Sequence, residues 1–285
     1  MKTYSEKITN AKALIHQADR IVLGIGSGLS AAGGLCYTDS ELAQKWYPEY
    51  YSLGLRTIAD IQSVYWWLTG NEPEKYWGFW AQHIWHIRYE AKATKPYREL
   101  LRLIGDKDYF ICTTNVDNQV EKAGFKPECI LAPQGDYGYF QCSVPCSHEV
   151  YQNKHMVLRM MENMVSAFEI RTEDIPVCPR CGEPLVPNLR CDNHFVEKPH
   201  TRNLPQYERY LTDCKNKNTV FLELGVGYNT PGIIRYPFEQ FTRNFKQAHL
   251  IRINNTCAEV PKNIEHKSIS MQEDLSIVLS DLIST

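Results

Sequence analysis

The chain has 285 residues, 43% hydrophobic and 22% charged, and its 31 Lys and Arg against 33 Asp and Glu leave a formal net charge of −2. That length fits one large domain, or a main domain carrying smaller insertions, and the composition excludes collagen, coiled coil and wholesale disorder. Near-neutral charge gives no support to a nucleic-acid partner, the polar opening Met1 to Asn10 lacks the apolar core of a signal peptide, and no run approaches the ~20 apolar residues of a membrane span, so a cytoplasmic protein is expected.

In chain order, Thr9 to Ala18 has helical spacing, and Ile21 to Leu23 is a short apolar run ending at Gly24. The block from Ser40 to Tyr89 holds all six tryptophans; Trp77, Trp80, Ile84 and Ile87 recur at helical spacing, which predicts an aromatic-lined helical module. Pro96 to Ile104 follows as a helix with proline at its start, then the run Tyr109 to Cys112. A Pro- and Cys-rich block covers Asp136 to Asn203. The runs Val220 to Leu224 and Leu250 to Ile253 come next, and Ser270 to Ile283 reads as a closing helix. Four β-branched-rich runs ending in small or polar residues suit strands buried on both faces of a parallel sheet. Helices alternating with them give an α/β, doubly wound parallel sheet, interrupted by a helical insertion and a cysteine-bearing one.

Strand Ile21 to Leu23 runs into Gly24-Ile25-Gly26-Ser27-Gly28-Leu29-Ser30-Ala31-Ala32-Gly33-Gly34, within which Gly26 to Ala31 fits G-x-G-x-x-A. Glycines there let backbone approach a pyrophosphate and leave amides at a helix N-terminus, where anions are stabilised. A dehydrogenase would place an acid at the end of a second strand roughly 20 residues on, but Glu41 and Glu49 fall in the tryptophan block. No G-x-x-x-x-G-K-[ST] is present, which excludes a P-loop nucleotidase.

The ten cysteines divide unevenly. Cys142-x-x-x-Cys146 and Cys178-x-x-Cys181 are two chelating pairs, and four thiolates match a closed tetrahedral zinc site. The wide first spacing leaves His148 or Cys191 as a replacement ligand. Cys36, Cys112, Cys129, Cys214 and Cys257 are read as small core residues. His83, His86, His148, His155, His194 and His200 are read as surface or packed residues, and Met160, Met161 and Met164 as one packed helix face.

Together these motifs resemble the sirtuins, NAD-consuming enzymes with a Rossmann-like domain and an inserted zinc module. Gly26 to Leu35 is similar to their G-A-G-x-S-x-x-S-G-I loop, and Thr113-Thr114-Asn115-Val116-Asp117 to their T-Q-N-I-D, with Ala123-Gly124 following. Gln134-Gly135 then Cys142 resembles their H-G and first zinc cysteine, and Cys178-Pro179-Arg180-Cys181-Gly182 with Leu185 and Pro187 their C-P-x-C-G-x-x-L-x-P. Gly225-Val226-Gly227 resembles G-T-S, and Ile253-Asn254 their final I-N. The matches run in order over about Ile21 to Asn254.

The resemblance implies a Rossmann-like NAD-binding domain formed by 1–39, 90–135 and 204–285, with a helical module at 40–89 and a zinc module at 136–203. It implies that Gly26, Ser27, Gly28, Ser30, Ala31, Gly34, Tyr37, Asn115, Asp117, Gln134, Gly225, Val226, Gly227, Asn229 and Asn254 bind NAD. Asn115 would hydrogen-bond the ribose region and Asp117 position the nicotinamide carboxamide, with Gln134 the third catalytic position. Leu35-Cys36-Tyr37-Thr38-Asp39 replaces the common I-P-D-F-R, and Gln134 replaces the histidine that acts as base in deacylation. Both departures resemble the macrodomain-associated class M sirtuins of bacteria. That likeness implies transfer of ADP-ribose from NAD to a lipoylated carrier related to the glycine cleavage H protein, with a macrodomain hydrolase acting on the product. The alternatives are a deacylase with a substitute base, for which one histidine must approach the ribose, and a catalytically silent NAD sensor.

Overall fold

The computed structural model describes residues 2–67 and 72–284; positions 68–71 of the tryptophan block lie outside the described residues. Nine strands form two sheets. β1 (Arg20–Ile25), β2 (Tyr109–Thr113), β3 (Ile130–Leu131), β7 (Thr219–Leu224), β8 (Ala248–Ile253) and β9 (Ser268–Met271) make a parallel sheet in the order β3-β2-β1-β7-β8-β9. Numbered by appearance within that sheet, the order is 3-2-1-4-5-6, the Rossmann arrangement, and it reverses between β1 and β7. β5 (Val150–Gln152), β4 (Gly135–Cys142) and β6 (Leu185–Leu189) form a separate antiparallel sheet.

The sheet is apolar on both faces and each face is covered. On one side lie α1 (Tyr4–Gln17), α7 (Lys95–Ile104) and α12 (Leu275–Ile283), contributing Ile8, Ile15, Tyr97, Leu100, Val278 and Leu279 to the core under Ile21, Leu23 and Ile111. On the other, α10 (Leu204–Cys214) and α11 (Arg235–Asn244) bring Tyr207, Tyr210, Cys214 and Phe238 against Val22, Phe110 and Phe221. Alternate residues of one strand therefore serve two cores, which is why these strands read as continuous apolar runs rather than alternating ones. α1 begins earlier than its apolar spacing suggests because Thr3 and Glu6 form a reciprocal capping box.

The tryptophan block folds into α3 (Ser40–Trp46), α4 (Pro48–Ser52), α5 (Ile58–Tyr65) and α6 (Pro73–Ile84), the last continuing into a π-helical turn, Trp85–Glu90. Trp77 and Trp80 are buried; Trp46, Trp66 and Trp85 are half-buried, and Trp67 is exposed. The cysteine-bearing block adds the antiparallel sheet and α9 (Lys154–Glu162). Both insertions share one core: Tyr47, Tyr50, Phe79 and Ile84 from the helices pack with Tyr137, Phe140, Met160 and Leu185. Trp77 meets Phe140 edge-on, with ring centroids 4.8 Å apart. Between the two bodies, α2 (Ser27–Ala32) follows β1 and α8 (Gln119–Lys122) follows β2.

Two expectations are corrected. Ser270 to Ile283 is not one helix: Ser268–Met271 pairs in parallel with Leu250–Ile253 as β9, and the helix starts at Leu275 on an Asp274 cap. A short apolar run has no period that tells strand from buried helix, and an unfilled sheet edge decided it. Of the five scattered cysteines, only Cys112 and Cys214 are buried, whereas Cys36, Cys129 and Cys257 are half-buried on loops.

Candidate active site and cysteine cluster

The carboxyl ends of β1 and β7 flank the point where strand order reverses, where a doubly wound sheet leaves a crevice. The loops leaving them interlock. Gly26 N donates to Leu224 O and Gly28 N to Gly225 O, both at 3.0 Å, while Gly225 N donates to Ile253 O at 2.9 Å. A Cβ on Gly28 would lie 2.7 Å from Gly225 Cα, and one on Gly26 would lie 2.5 Å from Gly225 O. Gly225 itself has φ 63°, the left-handed region that favours glycine. The G-x-G spacing thus has a cause that ligand approach alone does not supply: two backbones cross without room for side chains, and the Gly28 amide is committed to that crossing. Asn254, after β8, extends the lock by donating from Nδ2 to Val226 O at 3.0 Å.

The loop after β2 supplies the polar groups. Thr114 N donates to Ile25 O at 3.0 Å, holding this loop beside the first. Asn115 Nδ2 donates to Gly26 O and Tyr97 Oη, each at 2.9 Å, and lies 3.2 Å from Ser30 Oγ. The Ser30 hydroxyl donates to Asp117 Oδ2 at 2.5 Å, and Asp117 Oδ1 accepts from Gln119 N at 3.0 Å. Tyr97 Oη is 2.8 Å from Ser30 Oγ. The amide nitrogen of Asn115 is therefore turned into the protein, leaving its Oδ1 without a hydrogen-bond donor among the described residues. Burial raises the Asp117 carboxyl above its usual range, and the hydrogen bonds from Ser30 and Gln119 oppose that shift.

These groups open on a cavity of about 430 Å³. Of the site residues expected from sequence, Ser27, Gly28, Ser30, Ala31, Tyr37, Asn115, Asp117 and Asn229 line it. Gly26, Gly225, Val226 and Asn254 lie behind it as the loop lock. Gly34 takes a left-handed turn at φ 89°, and Gly227 and Asn229 are exposed beyond β7. Gln134 does not line the cavity: its carbonyl accepts from Arg190 N at 3.0 Å, and its Oε1 is buried without a partner. Asn115, Val116 and Asp117 also face a second, smaller cavity of about 160 Å³ on the opposite side of their loop, beside the Arg88–Asp136 ion pair.

Sequence reasoning missed Tyr97 and Tyr137. Tyr97 sits in the helix expected at Pro96 to Ile104, where its ring is ordinary core and only its hydroxyl is functional. Tyr137 lines the cavity from β4, with its amide donating to Val116 O at 3.0 Å. Its hydroxyl accepts from Tyr37 at 3.3 Å and lies 3.2 Å from His83 Nε2, while His83 Nδ1 is 3.1 Å from Tyr47 Oη. His83 is fully buried, and that burial lowers its pKa to about 3.

The sulfurs of Cys142, Cys146, Cys178 and Cys181 all lie within 4.8 Å of one another, with Cys142–Cys181 at 3.5 Å and Cys146–Cys178 at 3.6 Å. Zn–S bonds of ~2.3 Å in a tetrahedron require sulfurs about 3.8 Å apart, so the four thiols fit a zinc ion. The Cys178–Cys181 turn is held by Gly182 N donating to Cys178 O at 2.9 Å, with Gly182 at φ 79°. His148 and Cys191 are not in the cluster. No described helix is long and apolar enough to cross a membrane.

No family model matches the chain. A protein ADP-ribosyltransferase of Staphylococcus aureus strain Mu50 is 28% identical over 285 residues, covering 96% of this chain and 87% of that protein. A probable bifunctional ADP-ribose hydrolase/ADP-ribosyltransferase of Fusarium oxysporum f. sp. cubense is 30% identical over 270 residues, covering 91% of this chain and 44% of that protein, so this chain spans less than half of it. Among solved structures, Sir2Tm bound to a propionylated peptide matches with a TM-score of 0.59 at 18% identity over 97% of both chains. A Sir2–p53 peptide–NAD+ complex matches with a TM-score of 0.56 at 16% identity over 99% of this chain and 98% of that one. These structures share the fold of the present chain.

Proposed function

From the sirtuin fold that this chain has, we propose that it is an NAD-dependent protein ADP-ribosyltransferase. The observation that carries the reading is the Asn115–Ser30–Asp117 cluster, built on the loops at the strand-order reversal and facing a cavity large enough for half a dinucleotide. The relatives named as ADP-ribosyltransferases support the same activity. NAD lies across the reversal between β1 and β7, with its nicotinamide ribose at Asn115.

In the reaction the bond from ribose C1 to the nicotinamide nitrogen breaks, its electron pair leaves with nicotinamide, and an acceptor nucleophile forms the new bond to C1. The chain's task is to hold the ribose in that pose and keep water from competing. Asn115 offers its free Oδ1 to ribose hydroxyls because Gly26 O and Tyr97 fix its nitrogen. Asp117, held by Ser30 and the Gln119 amide, receives the carboxamide of nicotinamide. Residues 1–39, 90–135 and 204–285 serve NAD, while 40–89 and 136–203 carry the zinc-stapled body that closes over it.

Transfer is favoured over deacylation because the latter needs a base at the ribose, and a carboxamide such as Gln134 has no useful proton affinity near neutrality. His83 comes nearest to a substitute, reaching the cavity wall through Tyr137, but burial keeps it neutral down to about pH 3 and makes it a poor proton acceptor. The acceptor is a lipoylated carrier related to the glycine cleavage H protein, and a macrodomain hydrolase reverses the modification; the Fusarium relative, named for both activities, supports that pairing. Ten cysteines without a disulfide suit a cytoplasmic setting. Incubation of the protein with NAD and lipoylated carrier, followed by intact-mass analysis, tests the reading. A silent sensor would release no nicotinamide.

A further inference from the structure

We propose that Arg235 is a positioning residue for the adenosine half of the dinucleotide, an inference that rests on the NAD reading above. If the nicotinamide half occupies the cavity at Asn115, a ligand crossing the strand-order reversal must lay its other half over the loops after β7 and β8. Arg235, the first residue of α11, has a guanidinium only 1% exposed that reaches up between those loops. Its Nη1 donates to Cys257 O at 2.9 Å and lies 3.4 Å from Val226 O. Its Nη2 donates to Glu259 O at 3.2 Å, Glu259 Oε1 at 2.8 Å and Tyr228 Oη at 3.0 Å. Tyr228 closes the arrangement by donating its own hydroxyl to Glu259 Oε1. One side chain thus ties Val226 and Tyr228 of one loop to Cys257 and Glu259 of the next.

Beneath it, Glu223 lies 3.6 Å from Arg235 Nη1 and 2.7 Å from Arg252 Nε, and Arg252 Nη1 donates to Glu239 Oε1 at 2.9 Å. Fully buried charges of this kind are often no more stabilising than an apolar filling of equal volume, so stability alone gives weak reason for them. Here the donors end on loop carbonyls, fixing the separation of two loops that would otherwise be free to part. The exposed tip, Tyr228 and Glu259, is the part that can be removed without disturbing the core.

The test measures binding of ADP-ribose and of free nicotinamide to the full chain, with steady-state rates, for wild type and for Glu259→Ala, Tyr228→Phe, Arg235→Lys and Glu239→Gln. Glu259→Ala and Arg235→Lys are expected to weaken ADP-ribose binding and raise the KM for NAD roughly tenfold, the worth of a charged hydrogen bond, with Tyr228→Phe in the same direction. In all three, kcat and nicotinamide affinity stay near wild type. Glu239→Gln, which touches only Arg252, leaves both affinities unchanged. Should Arg235→Lys fail to fold, Glu259→Ala decides. Unchanged ADP-ribose affinity in Glu259→Ala, or an equal loss for both ligands, overturns the assignment. A wild-type chain that binds no ADP-ribose overturns the NAD reading on which it rests.

Discussion

Gly28 and Gly225 occupy the space that each other's side chain would fill: the Gly28 amide donates to Gly225 O at 3.0 Å, and a Cβ on Gly225 would lie 2.6 Å from Gly28 Cα. This crossing joins the ends of β1 and β7 at the strand-order reversal, so the floor of the candidate site is made by packing of backbone against backbone. Two halves of the chain nearly 200 residues apart must both keep glycine for it to form.

Alanine at either position therefore acts on fold and ligand together. Gly225→Ala also forces a left-handed conformation on a residue with a Cβ, costing about 1–2 kcal/mol before any clash is counted. Both variants are expected to unfold at lower denaturant than wild type and to lose ADP-ribose binding. A Gly28→Ala protein with wild-type stability and affinity would show that the crossing is not required.

Asn115→Ala removes the donor that reaches Gly26 O and Tyr97, together with the Oδ1 that faces the cavity. Nicotinamide release should fall by about 100-fold or more, the scale expected when reacting groups lose their alignment, with the circular dichroism spectrum retained. Release at the wild-type rate would remove Asn115 from the mechanism.

Asp117 has its pKa raised by burial, and the sign of its effect follows. Between the ordinary carboxylate pKa and the higher folded-state value, the folded protein binds more protons than the unfolded chain, so stability falls as pH rises through that window and stays at the lower level above it. Asp117→Asn is expected to be more stable than wild type near neutrality, with the difference shrinking as the medium is acidified, while transfer activity is lost. Urea unfolding at a series of pH values measures this; a gap that widens toward acid contradicts it.

The four-cysteine cluster predicts stoichiometric zinc by elemental analysis. Cys178→Ser and chelator treatment should both lower the melting temperature, because the loops bearing these cysteines are closed by the metal. The core shared by the two insertions links that loss to the cavity wall at Tyr137. Normal stability in chelator would contradict the assignment.

Much of this was legible in the sequence where a local pattern has one structural solution. Four apolar runs became sheet strands, two chelating cysteine pairs became one cluster, and the motifs bearing Ser30, Asn115 and Asp117 met at one place. What stayed hidden depends on tertiary neighbours. β3 has two residues and no period to read, and β9 is a strand only because β8 offers an edge. Tyr97 and Tyr137 look like core aromatics, and only the direction of a hydroxyl makes them part of the site. The glycine loop suggested close approach of a ligand, whereas its tightest neighbour is Gly225. Gln134, adjacent to the site by motif, has its side chain buried outside the main cavity.

The central claim is transfer of ADP-ribose, and one incubation tests it: the protein with NAD labelled in its adenylate half and a lipoylated H-like carrier, read by intact mass and nicotinamide release. The account predicts that the carrier gains the mass and label of one ADP-ribose as nicotinamide is released. An unmodified carrier, with NAD left intact or consumed only while an acyl-lysine peptide is deacylated, would contradict it.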